Sequence, residues 1–172
     1  MNIAITGHTS GIGAACINLF SGFGYSRKTG WDIANTDSLV KELVEKDYDI
    51  VINNAYLENY QSKLLKKLFF EWKNQPKIII SIGSYVINYP RIEHNKNEEV
   101  WPYRDHKQDL AQVFRKLAKQ SSTCRLGLIN PGPVDTPLIK HLDIEKMHPC
   151  KVASMISLMI EKPYLKEVTI YD

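Results

Sequence analysis

The sequence predicts an α/β fold, a doubly wound parallel sheet with helices on both faces, formed by residues 1–172 as a single domain. Short apolar segments alternate with longer amphipathic segments along the whole chain. The run Ile78-Ile79-Ile80 is uniformly apolar, as in a strand that is covered on both faces. A chain of 172 residues can bury one substantial core but is short for two domains.

Six strands are predicted by short apolar runs that end in turn-forming residues. They span Asn2–Thr6, Gly24–Arg27, Asp49–Asn53, Lys77–Ser81, Arg125–Ile129 and Glu167–Tyr171. The second of these is the shortest, because glycines and basic residues surround it. Strands that alternate with helices favour parallel pairing over hairpins.

Five helices are predicted between the strands by apolar side chains that recur on one face. They span Gly11–Gly22, Asp37–Asp47, Asn59–Trp72, Tyr103–Gln120 and Lys151–Ile160. The remaining long segment, Asn88–Trp101, is rich in Asn, Glu and His, and we expect it to be a surface loop.

The composition excludes several classes of protein. A net charge of +3 is too small to indicate a nucleic-acid-binding protein, and no apolar run is long enough to span a membrane. Cys16, Cys124 and Cys150 are odd in number and lack metal-ligand spacing, so we expect free thiols in a reducing compartment and no metal site. The first residues do not resemble a signal peptide, and we expect a cytoplasmic protein.

Three glycines lie in the turn between the first strand and the first helix, within the segment Thr6-Gly7-His8-Thr9-Ser10-Gly11-Ile12-Gly13. Such a turn exposes backbone N–H groups at a helix N-terminus, where they can bind a pyrophosphate. A tight strand-to-helix turn without any ligand is the alternative interpretation. The spacing departs from the G-x-G-x-x-G pattern of many dinucleotide-binding proteins.

The turn resembles the TGxxxGIG motif of the short-chain dehydrogenases/reductases at each of its fixed positions, Thr6, Gly7, Gly11, Ile12 and Gly13. Further segments resemble this family in the same order. Asn53-Asn54-Ala55 is similar to its NNAG element, with Tyr56 in place of the glycine. Ser84, at the end of the next strand along the chain, matches the position of the family's catalytic serine better than Ser81 does.

Two later segments complete the resemblance. Tyr103 and Lys107 have the spacing of the family's YxxxK motif, which puts both side chains on one helix face. The segment Pro131–Thr136 is similar to the family's PG segment, which is followed by a threonine. The resemblance covers nearly the whole chain and implies a Rossmann-like fold. It also implies an NAD(P)(H)-dependent oxidoreductase that interconverts a small carbonyl compound and its alcohol.

The resemblance implies a catalytic role for each of four residues. Tyr103 would be the general acid/base, and Ser84 would donate a hydrogen bond to the developing oxyanion. Lys107 would hold the nicotinamide ribose and lower the pKa of Tyr103 towards neutrality. Asn59 lies close to the place of an asparagine that holds a water in many members. An N-cap of the following helix suits Asn59 equally well.

The cofactor-binding residues implied by the resemblance lie in the turns that follow the strands. They are Thr6, Gly7, Thr9, Ser10, Gly11, Ile12, Gly13, Ser26, Arg27, Lys28, Asp32, Ile33, Asn53, Asn54, Ala55, Lys107, Pro131, Gly132, Val134 and Thr136.

The end of the second strand decides between NADP(H) and NAD(H). If the strand ends at Ser26, Arg27 and Lys28 face the adenosine ribose and NADP(H) is favoured. Asp32-Ile33 then resembles the family's acid on a third strand, which contacts the adenine. If the strand is longer, Asp32 itself meets the ribose. We favour the first register, because residues 28–30 have the composition of a turn.

The chain is shorter than typical family members, and the losses fall at identifiable places. These are the helix between the second and third strands, the helix after Ala55 and the long substrate loop after Thr136. We therefore expect an open or shallow pocket, or one that a second subunit completes, with residues 88–101 beside it. A dinucleotide-binding regulator or sensor with little turnover and a partner-binding module are the alternative functions.

A homodimer is predicted from the third helix. Together with the helix of Tyr103, it corresponds to the pair that forms the dimer interface in the family. Its apolar side chains are Leu64, Leu65, Leu68, Phe69 and Trp72. Packing of these side chains on the chain's own sheet is the alternative interpretation.

Overall fold

A computed structural model describes residues 1–88 and 100–171, and within them six parallel strands form one sheet. The strands are β1 (Ile3–Thr6), β2 (Phe23–Tyr25), β3 (Ile50–Asn53), β4 (Ile78–Ile82), β5 (Arg125–Pro131) and β6 (Glu167–Ile170). Their order is β2-β1-β3-β4-β5-β6, so the chain reverses direction across the sheet between β1 and β3. The predicted doubly wound parallel sheet is confirmed, and in open sheets of this kind the cleft for a ligand lies at the carboxyl ends of the strands where the order reverses.

Five helices cover the two faces of the sheet in the part of the chain that the structure describes. They are α1 (Gly11–Phe20), α2 (Thr36–Glu45), α3 (Tyr60–Trp72), α4 (Val100–Leu117) and α5 (Pro149–Glu161). Helices α1 and α5 pack together on one face, and α2, α3 and α4 pack in sequence on the other. None of these described helices combines the length and the apolar character that a bilayer crossing needs.

The predicted bounds of two helices need correction. Helix α4 begins at Val100 rather than at Tyr103, because Pro102 is accommodated in a first turn, where its missing N–H costs no helical hydrogen bond. Helix α1 ends at Phe20 because Ser21 adopts a left-handed φ of 50° and donates its N–H to the carbonyl of Ile17. Most of the predicted loop 88–101 lies outside the described residues.

The apolar face of α3 belongs to the core of this chain. Its five large apolar side chains are at most 1% exposed and pack with residues from α2, α4 and the sheet. The outward face of the helix instead carries Lys63, Lys66 and Lys67. This burial supports the alternative interpretation for these side chains, packing on the chain's own sheet, and the homodimer itself stays a prediction.

A tight turn protects the free edge of the sheet at β2. The hydroxyl of Thr29 donates to the carbonyl of Gly24 at 3.3 Å, and the ring of Trp31 packs edge-on against Tyr25 at 5.6 Å. No strand forms at Asp32-Ile33, where the Asp32 carboxylate accepts the N–H of Ala34 at 2.9 Å. The third strand implied by the family resemblance is therefore absent from this segment. The turn that contains Thr29 instead covers the Gly24 carbonyl, a backbone acceptor that an additional strand would otherwise use.

Hydrogen bonds from two side chains join the ends of β1 and β3. The hydroxyl of Thr6 accepts the N–H groups of Asn54 and Ala55 at 3.0 Å each. The side-chain amide of Asn54 donates to the carbonyls of Thr6 at 3.0 Å and Gly7 at 3.1 Å. These bonds fix the separation of the two loops that border the cleft.

We expect Asn54→Ala to lower the free energy of unfolding by about 1–3 kcal/mol, because two carbonyls lose their side-chain donor in a partly buried site. Urea unfolding followed by circular dichroism measures the change. Asn18→Ala, at an exposed position of α1, is the matched control and should stay within about 0.5 kcal/mol of the wild type. Equal effects of the two substitutions would contradict this account of the loops.

Candidate active site

The glycine turn packs tightly against the segments that follow β3 and β5. Gly7 and Gly11 have φ values of 69° and 52°, a conformation that favours glycine. A Cβ at Gly11 would lie 2.7 Å from Cγ2 of Thr136, and one at Gly7 would lie 2.9 Å from Cα of Ala55. The turn therefore needs both its unusual backbone and its missing side chains in order to sit between these segments.

The beginning of α1 presents donors suited to a pyrophosphate. Ser10 is the N-cap residue but makes no capping bond through its side chain, and the first turn has no acidic residue. Neither a capping bond from Ser10 nor an acidic side chain therefore offsets the positive charge that the first N–H groups of α1 present. Nδ1 of His8 is buried and has no partner among the described residues. These features fit the cofactor phosphate that the sequence predicts at this turn.

The turn after β2 places basic residues at the predicted adenosine end. Strand β2 ends at Tyr25, and Arg27–Thr29 form a single 3₁₀ turn with Arg27 and Lys28 exposed. The Asp32 carboxylate is occupied by the N–H of Ala34, and Ile33 is buried in the core. This arrangement agrees with the shorter register, in which the basic pair follows the strand directly.

Ser84, Tyr103 and Lys107 lie together at the carboxyl end of β4. Ser84 follows the strand, and its hydroxyl lies near enough to Tyr103 to lower the pKa of that phenol. Lys107 is one turn further along α4, and its Nζ is 5.6 Å from the centre of the Tyr103 ring. Ser81 does not join this group, because its hydroxyl lies inside the sheet and accepts from Asn53 at 3.3 Å. The structure thus brings together the hydroxyl, phenol and amine that the sequence singled out.

Lys107 is a buried amine held by uncharged acceptors. Its residue is 3% exposed, and Nζ donates to Oε1 of Gln61 and to the carbonyl of Ile82, both at 2.8 Å. Burial lowers the pKa of Lys107 to about 7, because a charged amine loses its hydration there. The side chain can therefore change its charge close to neutral pH.

Solved dehydrogenase structures share this architecture. The 3-alpha-hydroxysteroid dehydrogenase from Pseudomonas sp. B-0831 complexed with NADH has a TM-score of 0.78 at 18% identity, covering 98% of this chain and 94% of that chain. A small-chain dehydrogenase in complex with NADPH also gives 0.78 at 18% identity, covering 100% and 96%. The chain has the fold of the short-chain dehydrogenases.

A third structure of this fold is the alcohol dehydrogenase from the archaeon Thermococcus sibiricus complexed with 5-hydroxy-NADP. It has a TM-score of 0.73 at 15% identity and covers 99% of this chain and 96% of that chain. No family model matches the sequence, and no curated protein matches it. At these low identities the backbone arrangement, rather than the overall sequence, carries the similarity.

The pKa of Tyr103 does not follow the prediction from the sequence. Burial raises it above the ordinary value of a phenol, and the hydrogen bond from Ser84 lowers it by a smaller amount. We expected Lys107 to bring this pKa towards neutrality, and that expectation is wrong for this arrangement. Both groups are buried, and the Lys107 amine is directed to Gln61 and the Ile82 carbonyl, so burial outweighs attraction between the charged forms.

Gln61, rather than Asn59, is the residue of α3 that contacts Lys107. Asn59 is exposed and occupies the N-cap position of α3, as the alternative interpretation had it, although its side chain makes no capping bond. Gln61 is 2% exposed. Its position could have been found from the helix period, because Gln61 precedes Leu64, Leu65 and Leu68 at the spacing of a single inward face.

Tyr56 adds a second phenol that the sequence did not assign to the site. Its ring lies edge-on to that of Tyr103, with centres 4.8 Å apart, and its hydroxyl bonds Nδ1 of His106 at 3.1 Å. Burial, followed by the charge of Glu58, raises the pKa of Tyr56. The sequence signal for this residue was the departure from the NNAG element at Tyr56, which introduces an aromatic ring where that element has a glycine.

We expect the buried amine of Lys107 to make stability depend on pH. Its pKa is about 7 in the folded chain and about 10.4 when unfolded, so between these values the unfolded chain binds the extra proton. The contribution of Lys107 to the free energy of unfolding therefore rises with pH by up to about 1.4 kcal/mol per unit.

The measurement is urea unfolding of the wild type and Lys107→Met at several pH values from about 7 to 9. The wild type should gain stability relative to the variant as pH rises, since the variant has no amine to discharge. Lys41→Met, at an exposed position of α2, is the control and should leave the difference independent of pH. A constant difference for Lys107→Met would contradict the lowered pKa.

Proposed function

We propose that the chain is an NADP(H)-dependent short-chain dehydrogenase/reductase that interconverts a small carbonyl compound and its alcohol by hydride transfer. The grouping of Ser84 and Tyr103 around the buried amine of Lys107 at the end of β4 carries this proposal. The glycine turn follows β1 at the same carboxyl edge of the sheet. One bound dinucleotide can therefore extend from the N–H groups of this turn, which would bind its phosphates, to these side chains. The solved relatives named above contain NADH, NADPH or 5-hydroxy-NADP.

The chain's own groups suit proton transfer in the direction of reduction. The cofactor, when bound, supplies or accepts the hydride. Tyr103 has a raised pKa and keeps its proton at neutral pH, so it can protonate a carbonyl oxygen as that oxygen gains negative charge. The hydroxyl of Ser84 stabilises the same oxygen by a hydrogen bond. Charged Lys107 would stabilise the phenolate that remains.

The cofactor preference rests on the turn after β2. Arg27 and Lys28 are exposed directly after the strand, where they can bind a 2′-phosphate, while the Asp32 carboxylate is engaged by its own backbone turn. This arrangement favours NADP(H) over NAD(H). No group of three or more potential metal ligands occurs among residues 1–88 and 100–171, and the proposed reaction uses none.

A homodimer stays a prediction, although the apolar side chains of α3 are buried in the core of this chain. A second copy would meet the outward faces of α3 and α4, which carry mainly charged side chains such as Lys63, Lys66 and Asp109. A small carbonyl compound is the proposed substrate class, and its identity is to be found by screening aldehydes and ketones.

We expect Tyr103→Phe to reduce carbonyl reduction by about 10²–10⁴-fold, because the phenol that donates the proton is removed while the ring remains. NADPH binding, measured by fluorescence titration, should stay nearly unchanged. Tyr164→Phe, whose ring is 74% exposed, is the control for loss of a phenol elsewhere and should keep full activity.

Two outcomes would count against the enzyme. Full activity of Tyr103→Phe would remove this residue from the chemistry. Tight NADPH binding by the wild type without oxidation by any aldehyde or ketone would favour a dinucleotide-binding regulator of the same fold.

We expect Arg27→Ala to weaken NADPH binding by about 10- to 100-fold and NADH binding much less, because a charge-assisted bond to the 2′-phosphate is lost. Isothermal titration calorimetry with both nucleotides measures the two affinities. Lys46→Ala, at an exposed position after α2, is the control for loss of one positive charge. Equal weakening of both nucleotides by Arg27→Ala would contradict the phosphate assignment.

A further inference from the structure

The side-chain amide of Gln61 forms a closed set of hydrogen bonds with Lys107 and a strand end. Nζ of Lys107 donates to Oε1 of Gln61 and to the carbonyl of Ile82, both at 2.8 Å. Nε2 of Gln61 donates to the same Ile82 carbonyl at 2.9 Å and to the carbonyl of Asn53 at 2.7 Å. One amide therefore binds the amine and the carboxyl ends of β3 and β4 together.

This arrangement uses the donors of Lys107 in a defined way. A charged amine has three N–H donors, and two of them are directed to Gln61 and Ile82. One donor is left for a ligand or a reacting group. The direction of this donor is fixed, because both acceptors are held in place. The Ile82 carbonyl belongs to the sheet, and the side chain of Gln61 is buried at 2% exposure.

The other groups around Nζ do not fix its position in the same way. The rings of Tyr56 and Tyr103 face Nζ at 5.3 Å and 5.6 Å from their centres, and His106 is bonded to Tyr56. Among the described residues, no carboxylate forms an ion pair with Lys107. Gln61 is thus the side-chain acceptor that the described contacts give to this buried amine.

We propose that Gln61 is the positioning residue of Lys107, which holds the amine against the end of β4 and directs its remaining donor into the cleft beside Tyr103. Gln61 acts through Lys107 and does not touch the reacting atoms. The catalytic meaning of this contact rests on the proposed function, but the contact itself can be tested without any cofactor or substrate.

The test follows the titration of Lys107 in the cofactor-free protein. Lysine labelled with ¹³C at Cε reports amine ionisation by NMR, and the signal of Lys107 is identified by its loss in Lys107→Arg. Gln61→Glu keeps the length and the acceptor but adds a negative charge, so the midpoint of Lys107 should rise by about one pH unit or more. Gln61→Met keeps the length but removes the acceptor, so the midpoint should fall.

Ser62→Ala is the matched control. Ser62 lies in the same turn of α3, is 4% exposed and bonds Asp109 of α4 and the carbonyl of Asn59. Its loss should alter stability without moving the midpoint of Lys107. The melting temperature of each variant separates a loss of fold from a change at the amine, and Gln61→Glu carries the test alone if Gln61→Met does not fold.

A second arm uses the loaded protein and a carbonyl compound that the wild type reduces. Gln61→Met should lower kcat by about 10- to 100-fold, and Gln61→Glu should move the pH profile in the same direction as the NMR midpoint. A midpoint that is unchanged in Gln61→Glu would overturn the proposal, whatever the activity. Absence of turnover in the wild type would instead refute the proposed function and leave the NMR result standing.

Discussion

The close approach of three backbone segments at the carboxyl edge of the sheet is the constraint on which the site depends. The glycine turn packs tightly on the segments after β3 and β5: a Cβ at Gly7 would lie 2.9 Å from Cα of Ala55, and one at Gly11 would lie 2.7 Å from Cγ2 of Thr136. Such contact leaves backbone, rather than side chains, facing the cleft. The same edge places the end of β4 next to α4, so the phosphate donors and the Ser84–Tyr103 pair share one border of the sheet.

The chemistry of the site depends on the burial of polar groups that remain hydrogen-bonded. Lys107 loses its hydration but keeps two acceptors, and Tyr103 loses hydration beside the hydroxyl of Ser84. Burial alone moves the pKa of an amine down and that of a phenol up, so Tyr103 keeps its proton near neutral pH while Lys107 is divided between its charged and neutral forms. This combination suits the proposed proton transfer, in which the phenol of Tyr103 donates a proton and the charged amine of Lys107 stabilises the phenolate that remains.

The chain covers the edge of its sheet and surrounds the candidate site with contacts of its own. At the β2 edge, Thr29 and Trp31 cover the strand where a further strand is absent. Beside the candidate site, Tyr56 packs edge-on against Tyr103. Gln61 supplies, from the first turn of α3, an acceptor that contacts Lys107 directly.

The sequence by itself determined the parallel α/β architecture and the glycine turn, because period and turn chemistry are local properties, whereas the grouping of Ser84, Tyr103 and Lys107 was implied by the family resemblance. Only the tertiary structure decided which side chains meet across elements. Gln61 reaches Lys107 and Asn59 does not, since the rotation of α3 against β4 selects between them. Burial also raises the pKa of Tyr103 and places the apolar side chains of α3 in the core of the chain. The spacing of residues in the sequence does not show which side chains are buried against which element.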